Sequence, residues 1–202
     1  MSSPPVVAES VFAQAHREGR GPDLEAAAIE AAIAQRPPRA YLSVNVSVGG
    51  LVSEQVQAVL PDDLTGVVLE ITEQTDTDDW DAVLAVIADC RARGAFVAID
   101  DWGRGYSNVE RIMRLRPEVV KLDRSLLADL EDVGRQVSLR TLVGWARSMG
   151  AQVCAEGVET SEQWRLLREV GVDFGQGYYF GRPTIGPPEV PATDRLAEPT
   201  LR

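Results

Sequence analysis

Short apolar runs alternate with longer amphipathic stretches along most of this chain, a pattern typical of alternating strands and helices. Residues 95–99 are all apolar and rich in β-branched and aromatic types, and they lead directly into two aspartates and a glycine-rich turn. A run of this composition predicts a strand buried on both faces. Similar runs near residues 41–47, 67–73, 117–123, 150–156 and 172–176 bring the predicted strands to six.

The longer stretches predict helices, because their apolar residues recur at helical spacing. Asp23 is placed as the N-cap of the second helix, and Thr160 with Gln163 three positions later forms a capping box for the last one. The predicted helices cover residues 7–17, 24–35, 79–93, about 124–149 and a segment that ends at Val170.

Length and composition predict one globular domain. The 202 residues are 45% hydrophobic and 25% charged, which suffices for one sizeable core. We assign residues 1–183 to this domain and expect the proline-rich segment 184–202 to be a disordered tail. The chain has no apolar run of about 18 residues, no leader pattern and two isolated cysteines, so a cytoplasmic protein without a membrane segment is expected. A net charge of -11 argues against a nucleic-acid polymer as partner.

Polar side chains recur at the ends of the predicted strands, and this regularity indicates the architecture. In a barrel of eight parallel strands, the functional site is built from the carboxyl ends of several strands. A doubly wound sheet concentrates its chemistry at one switch point and usually has a glycine fingerprint after its first strand, which this sequence lacks. We therefore predict an α/β fold of the TIM-type (β/α) barrel class. The strand-end residues are Asn45, Glu70, Asp100 with Asp101, Lys121 with Asp123, Glu156 with Glu159, and Gln176.

These strand-end residues carry far more negative than positive charge. If they converge, several carboxylates face a single cation, Lys121, and a partly dry site of that kind requires a divalent metal. The candidate ligands are all oxygen atoms, and the single histidine, His16, lies in the first predicted helix. Hard ions such as Mg²⁺ or Mn²⁺ are therefore expected before Zn²⁺. Two such ions about 4 Å apart would polarise a phosphodiester and activate water.

Six motifs in this order resemble the motif set of EAL-domain phosphodiesterases. The resemblance extends from about residue 5 to residue 183. It implies hydrolysis of cyclic di-GMP to the linear dinucleotide pGpG in bacterial signal transduction. The motifs are Leu42-Ser-Val-Asn-Val-Ser47, Glu70-Ile-Thr-Glu73, Asp100-Asp-Trp-Gly-Arg-Gly-Tyr-Ser107, Lys121-Leu-Asp123, Glu156-Gly-Val-Glu159 and Gln176-Gly-Tyr-Tyr-Phe-Gly-Arg-Pro183.

The resemblance also implies a role for each matching residue. Lys121 and Gln176 would contact the catalytic water or metal-bound waters, with Asp123 in support. Glu73, Gly103 and Ser107 would support the loop after Asp100 and Asp101, and a homodimer through the 100–116 region is implied. The implied metal ligands are Asn45, Glu70, Asp100, Asp101 and Glu156, and weaker substrate contacts are assigned to Glu159, Tyr178 and Pro183.

The sequence departs from the family pattern in two places. The Glu-Ala-Leu motif and two strands would precede residue 4, so we expect six of the eight strands and one metal-binding glutamate fewer. A start assigned too far downstream and a truncated or degenerate copy both remain open. In the loop, Trp102 replaces the usual Phe, and Arg104 replaces the usual Thr and adds bulk and charge.

Other interpretations stay open at this point. A degenerate EAL module could bind cyclic di-GMP or a protein partner without turnover. An enolase-like barrel could use Lys121 to abstract a proton beside Mg²⁺. Individual residues also have structural interpretations: Asn45 as a core amide, Lys121 with Asp123 as an internal ion pair, and Glu73 or Glu159 as solvated strand-end glutamates.

Overall fold

The structure is a computed structural model that describes residues 6–36, 40–72, 77, 79–103 and 109–183. It comprises two compact units, Met1–Phe96 and Val97–Arg202. The predicted tail, 184–202, lies outside the described residues.

The first unit contains two parallel strands and five helices in its described residues. β1 and β2 pair in register, so that Asn45 lies opposite Glu70 near the carboxyl ends of both strands. All five residues of β2 are buried, as expected for a strand of a parallel sheet. The elements are α1 (Val6–Arg17), α2 (Gly21–Ala34), β1 (Leu42–Val46), α3 (Val48–Leu51), α4 (Glu54–Val59), β2 (Val67–Ile71) and α5 (Trp80–Ala92).

The predicted N-cap of α2 is wrong by one turn. The helix begins at Gly21 with Arg20 as its N-cap, and Asp23 lies in its first turn. Pro22 explains the earlier start, because proline has no backbone N–H to lose in the first turn and its φ angle already suits a helix. Asp23 still stabilises this end of the helix through its charge.

The second unit repeats the strand and helix alternation. Its strands are parallel in the order β3, β4, β5, β6. The elements are β3 (Phe96–Trp102, whose first residue ends the first unit), α6 (Val109–Leu115), β4 (Val119–Leu122), a 3₁₀ helix (Arg124–Leu127), α7 (Val133–Ser148), β5 (Gln152–Ala155), α8 (Ser161–Val170) and β6 (Phe174–Gly175). The predicted α/β class is confirmed in both units.

Two helix predictions in this unit have opposite outcomes. The single helix predicted over about 124–149 is wrong: a 3₁₀ helix comes first, and α7 begins only at Val133, where the Asp132 carboxylate accepts a hydrogen bond from the backbone N–H of Arg135. The capping box of α8 is confirmed, with the hydroxyl of Thr160 and the amide side chain of Gln163 satisfying each other's backbone N–H groups.

No helix among the described residues is long and apolar enough to cross a membrane.

Candidate functional site

Asp100 and Asp101 lie at a bulge near the carboxyl end of β3. Ile99 pairs with Val120 of β4, and the next pairing joins Trp102 to Leu122, so β3 contains one more residue than β4 over this step. Asp101 has a left-handed backbone, with φ of 55°, and its N–H donates to Asp100 Oδ1 at 3.0 Å. Consecutive strand residues normally point to opposite faces, so the bulge allows both carboxylates to serve one site.

Glu156, the first residue after β5, lies close to these two carboxylates. Its backbone N–H donates to the carbonyl of Leu122 at 3.0 Å, which extends the β4–β5 pairing by one step. One carboxylate oxygen each from Asp100, Asp101 and Glu156 lie within 4.8 Å of one another. The three residues are partly exposed, so the cluster is open to solvent. Residues about 55 positions apart in the sequence thus form one group of oxygen ligands.

Lys121 supplies a positive charge inside this cluster. It is only 5% exposed, and its Nζ lies 3.2 Å from Asp100 Oδ1 and 2.5 Å from Glu156 Oε1. β4 brings it there because Lys121 pairs in register with Cys154, two residues before Glu156 on β5. Three carboxylates against one ammonium still leave a net negative charge, which favours a bound cation.

Asp123 has a clear structural task next to this site. Its carboxylate accepts a hydrogen bond from the N–H of Ser125 at 2.9 Å and caps the 3₁₀ helix. Its own N–H donates to the carbonyl of Trp102 at 3.1 Å, which fixes the end of β3 immediately after the bulge. Asp123 therefore stabilises the end of β3, the strand that carries Asp100 and Asp101.

Asn45 and Glu70 lie side by side in the first unit. Glu70 is buried, and its Oε1 accepts a hydrogen bond of 2.5 Å from the hydroxyl of Ser43. Asn45 is exposed, which contradicts its interpretation as a core amide. The sequence reasoning missed Ser43, although Ser43 is two residues before Asn45 and the period of a strand places both on one face.

The remaining predicted residues fall into three groups. Gln176 and Glu159 are exposed, as are Tyr178 and Pro183, and the guanidinium of Arg182 lies 4.8 Å from the centre of the Tyr178 ring. Gly103 has a left-handed backbone with φ of 102° and directly contacts the 3₁₀ helix, where a Cβ would lie 2.4 Å from the side chain of Leu126. Glu73, Arg104 and Ser107 lie outside the described residues.

The donor set of the three-carboxylate cluster fits a hard divalent cation. Carboxylate oxygens are the ligands that Mg²⁺, Mn²⁺ and Ca²⁺ prefer, and those of Asp100, Asp101 and Glu156 are already close enough to share one ion. No sulfur or imidazole ligand joins the group among the described residues. This composition argues against a structural zinc site.

Comparison with known proteins gives consistent results. A family model described as the EAL domain matches residues 4–183. The chain is 36% identical over 118 residues to "Probable cyclic di-GMP phosphodiesterase PdeA" of Escherichia coli, covering 58% of this chain and 16% of that protein. It is 33% identical over 150 residues to "Bifunctional diguanylate cyclase/cyclic di-GMP phosphodiesterase MucR" of Pseudomonas aeruginosa, covering 70% and 22%. The chain thus spans about a fifth of the length of these relatives.

Solved structures show the same similarity. An EAL domain protein from Listeria monocytogenes superimposes with a TM-score of 0.69 at 28% identity, covering 89% of this chain and 74% of that one. A manganese and cyclic di-GMP complex of Klebsiella pneumoniae BlrP1 gives a TM-score of 0.66 at 30% identity, covering 82% and 45%. These matches confirm the fold class predicted from the sequence.

Proposed function

Because this chain belongs to the EAL domain family, we propose that it is the EAL portion of a cyclic di-GMP phosphodiesterase that produces pGpG. The observation that carries the proposal is the cluster of Asp100, Asp101 and Glu156 around the buried Lys121. Relatives that are 36% identical to this chain over the aligned residues have names that give the same activity. The cluster supplies the ligand chemistry that such a reaction needs.

We assign the divalent metal to the three carboxylates, with Mg²⁺ or Mn²⁺ as the physiological ion. Similar structures were determined with manganese or calcium together with cyclic di-GMP, which supports a divalent ion. When bound, such an ion polarises the phosphodiester and lowers the pKa of a water ligand. Two ions, as in other phosphodiester hydrolases, are part of the proposal.

Lys121 is proposed to neutralise negative charge on the phosphoryl oxygens or to orient the attacking water. Conversion to pGpG breaks the bond between phosphorus and one ribose 3′ oxygen, and negative charge develops on the phosphoryl oxygens as water attacks. An ammonium held rigidly by two carboxylates is preorganised to neutralise that charge or to orient the water. Glu156, which contacts Lys121, fixes its side chain in this place.

The other predicted roles remain part of the proposal. Asn45 and Glu70 are proposed as further metal ligands. Gln176 is proposed to contact metal-bound water, and Asp123 to support Lys121 and Gln176 in this role. Glu73, Gly103 and Ser107 are assigned to support of the loop that follows the two aspartates. Glu159, Tyr178 and Pro183 are assigned to substrate contacts, which suits their exposure.

A homodimer through the 100–116 region and a cytoplasmic location complete the proposal. Val109 and Met113, one turn apart on α6, are 49% and 59% exposed and would contribute apolar surface to such an interface. Neither cysteine forms a disulfide in the structure, in agreement with a reducing compartment.

Incubation of the purified chain with cyclic di-GMP and Mn²⁺, followed by chromatography of the nucleotides, tests the proposed reaction. We expect pGpG to appear only with the metal and to be lost on chelation. Glu156→Gln should lower the rate by at least about 100-fold, because it removes a charged ligand and a partner of Lys121.

The other two interpretations predict different results in this assay. Binding of cyclic di-GMP without formation of pGpG would identify a non-catalytic EAL module. No metal-dependent loss and no binding of cyclic di-GMP would favour a different chemistry, such as the enolase-like reaction.

A further inference from the structure

Two tryptophans stack against each other directly behind the paired aspartates. Trp102 follows Asp101 in β3 and is 5% exposed. Its ring centre lies 5.3 Å from that of Trp145 on α7, and the two ring planes are inclined by 34°. Such a tilted stack of two indoles is a favourable aromatic contact beyond the burial of its area. α7 is therefore attached to the residue that ends the bulge.

The backbone at this bulge needs support from its surroundings. Asp101 has a left-handed conformation, which is less favourable for residues other than glycine. Conformations of this kind persist only where neighbouring structure holds them. Among the described residues, the N–H of Asp123 donates to the carbonyl of Trp102, and Gly103 lies against the side chain of Leu126. Trp145 contacts the ring of Trp102 from α7.

We propose that Trp145 is a positioning residue for the metal-binding carboxylates of Asp100 and Asp101 and acts through the side chain of Trp102. This inference rests on the proposed function only in assuming that the carboxylates bind a divalent cation. Trp145 itself contacts neither the metal ligands nor the substrate in this proposal. It holds the indole of Trp102, and thereby the backbone that presents both carboxylates on one side of β3.

An aromatic ring at position 145 matters because it packs against the indole of Trp102. A small side chain there would remove this contact, and the indole could move toward the space that Trp145 occupied. Because Asp101 is the residue before Trp102, movement of Trp102 shifts the carboxylate of Asp101 relative to those of Asp100 and Glu156. Ligands that must first be gathered bind a metal more weakly than ligands held in place.

The test compares Mn²⁺ binding by the intact chain and its variants, using electron paramagnetic resonance to count unbound Mn²⁺. Trp145→Ala should raise the dissociation constant about tenfold, the usual effect of losing support behind a metal ligand. Trp145→Phe keeps an aromatic face and should stay within about twofold of the native chain. Both variants should lose the circular dichroism couplet that a stacked tryptophan pair produces in the far ultraviolet.

A matched control separates positioning from stability. Leu139 lies on the same helix and is 1% exposed, so Leu139→Ala should lower the unfolding temperature and leave the Mn²⁺ dissociation constant unchanged. If Trp145→Ala does not fold, Trp145→Val replaces it, with the same expected rise in the dissociation constant.

Three results would overturn the inference: no Mn²⁺ uptake by the native chain, an unchanged dissociation constant in Trp145→Ala or its replacement, or an equal loss of affinity in Leu139→Ala. A native chain that binds Mn²⁺ but makes no pGpG would refute the phosphodiesterase proposal, while the predicted rise in the dissociation constant would still support the role of Trp145. The two proposals therefore fail by different observations.

Discussion

At the scale of single residues, the charge of Lys121 offsets part of the repulsion within the carboxylate cluster. Its ammonium contacts Asp100 and Glu156, and the side chain is almost fully buried. Removing the cation leaves carboxylates of like charge close together, which destabilises the fold unless another cation takes its place. Lys121 therefore stabilises the protein when no metal is present, in addition to its proposed role in catalysis.

Lys121→Met should lower the free energy of unfolding by about 1 to 3 kcal/mol in the presence of chelator. The expected loss is smaller than for a fully buried ion pair, because both carboxylates are about one-fifth exposed and solvent screens their charges. Mn²⁺ should raise the unfolding temperature of this variant more than that of the native chain, since the metal then supplies the missing charge. Mn²⁺ should not restore the proposed hydrolysis of cyclic di-GMP in this variant, because the ammonium group is missing. Thermal unfolding with and without Mn²⁺ measures the difference, and an equal shift in both proteins would argue against the cluster as the metal site.

Glu25 is another buried charged residue, in the first unit, and it was not predicted from the sequence. It is 4% exposed, and its Oε2 lies 3.2 Å from both the backbone nitrogen and the hydroxyl of Ser47, which donate to it. His16 Nε2 lies 3.0 Å from the other carboxylate oxygen. Gly50 makes room for the carboxylate, because a Cβ there would lie 1.6 Å from Glu25 Oε2. Glu25 thus connects α1 and α2 to the turn that follows β1.

Glu25→Ala should lower the free energy of unfolding by about 2 kcal/mol, because it leaves the buried N–H of Ser47 without its acceptor. His16→Ala is the control, since His16 is 44% exposed and an ion pair of that exposure contributes less than about 1 kcal/mol. Urea denaturation of the two variants measures both values. A smaller effect for Glu25→Ala than for His16→Ala would show that Ser47 finds another acceptor.

Residue identity predicted the members of the carboxylate cluster but not their contacts. Asp100, Asp101 and Glu156 could be predicted from the sequence because strand ends gather at one edge of a parallel sheet. The sequence placed several carboxylates opposite Lys121, but it did not single out Asp100 and Glu156, which the structure brings into contact with it. The left-handed backbone of Asp101 has no sequence signal, because aspartate tolerates but does not require that conformation.

At the scale of secondary structure, α5 contains a buried cysteine, and the reactivity of its thiol depends on how tightly this helix packs. Cys90 is fully buried, and this burial raises the pKa of its thiol. The thiol therefore stays protonated at a pH where an exposed cysteine is partly a thiolate. The folded state therefore holds the thiol proton of Cys90 more tightly than the unfolded state does. The stability that this gives is fully present below the pKa of the thiol in the unfolded chain, and it is lost as the pH rises through the higher pKa of the folded protein.

Alkylation by iodoacetamide at pH 8, followed by peptide mass spectrometry, should modify Cys154 well before Cys90. Cys154 is half-buried in β5, whereas Cys90 is both inaccessible and protonated. The rate at Cys90 should rise with pH and with denaturant. Equal rates at pH 8 would mean that α5 opens readily from the rest of the first unit.

The elements themselves were predictable wherever a local signal marks both ends. The capping box of α8 and the glycine that follows the helix place its limits well. The segment from 124 to 149 was not predictable as a 3₁₀ helix followed by a turn, because its apolar spacing continues through the break and only the Asp132 cap marks the start of α7. The short helices α3 and α4 were missed because four to six residues show too little periodicity.

At the scale of the whole molecule, net charge and proposed substrate have to be reconciled. The chain carries a formal charge of -11, and cyclic di-GMP is itself an anion. Attraction between them requires positive charge at the site, and among the described cluster residues only Lys121 supplies it. A divalent metal on Asp100, Asp101 and Glu156 would supply the rest. The proposed bound metal therefore explains how a chain of this negative charge would attract an anionic substrate.

The α/β class followed from the alternation of six apolar runs with helices, and each predicted run corresponds to a strand in the structure. The division of the chain into two compact units could not be predicted, since it depends on contacts between residues distant in sequence. The family followed from six ordered motifs, and the family model matches residues 4–183.

Anomalous diffraction from crystals grown with Mn²⁺ locates the bound metal directly. We expect a manganese peak within about 2.5 Å of carboxylate oxygens of Asp100, Asp101 and Glu156, with Lys121 retained beside it. A peak at other residues, or crystals without a peak in which Lys121 still contacts Asp100 and Glu156, would contradict it.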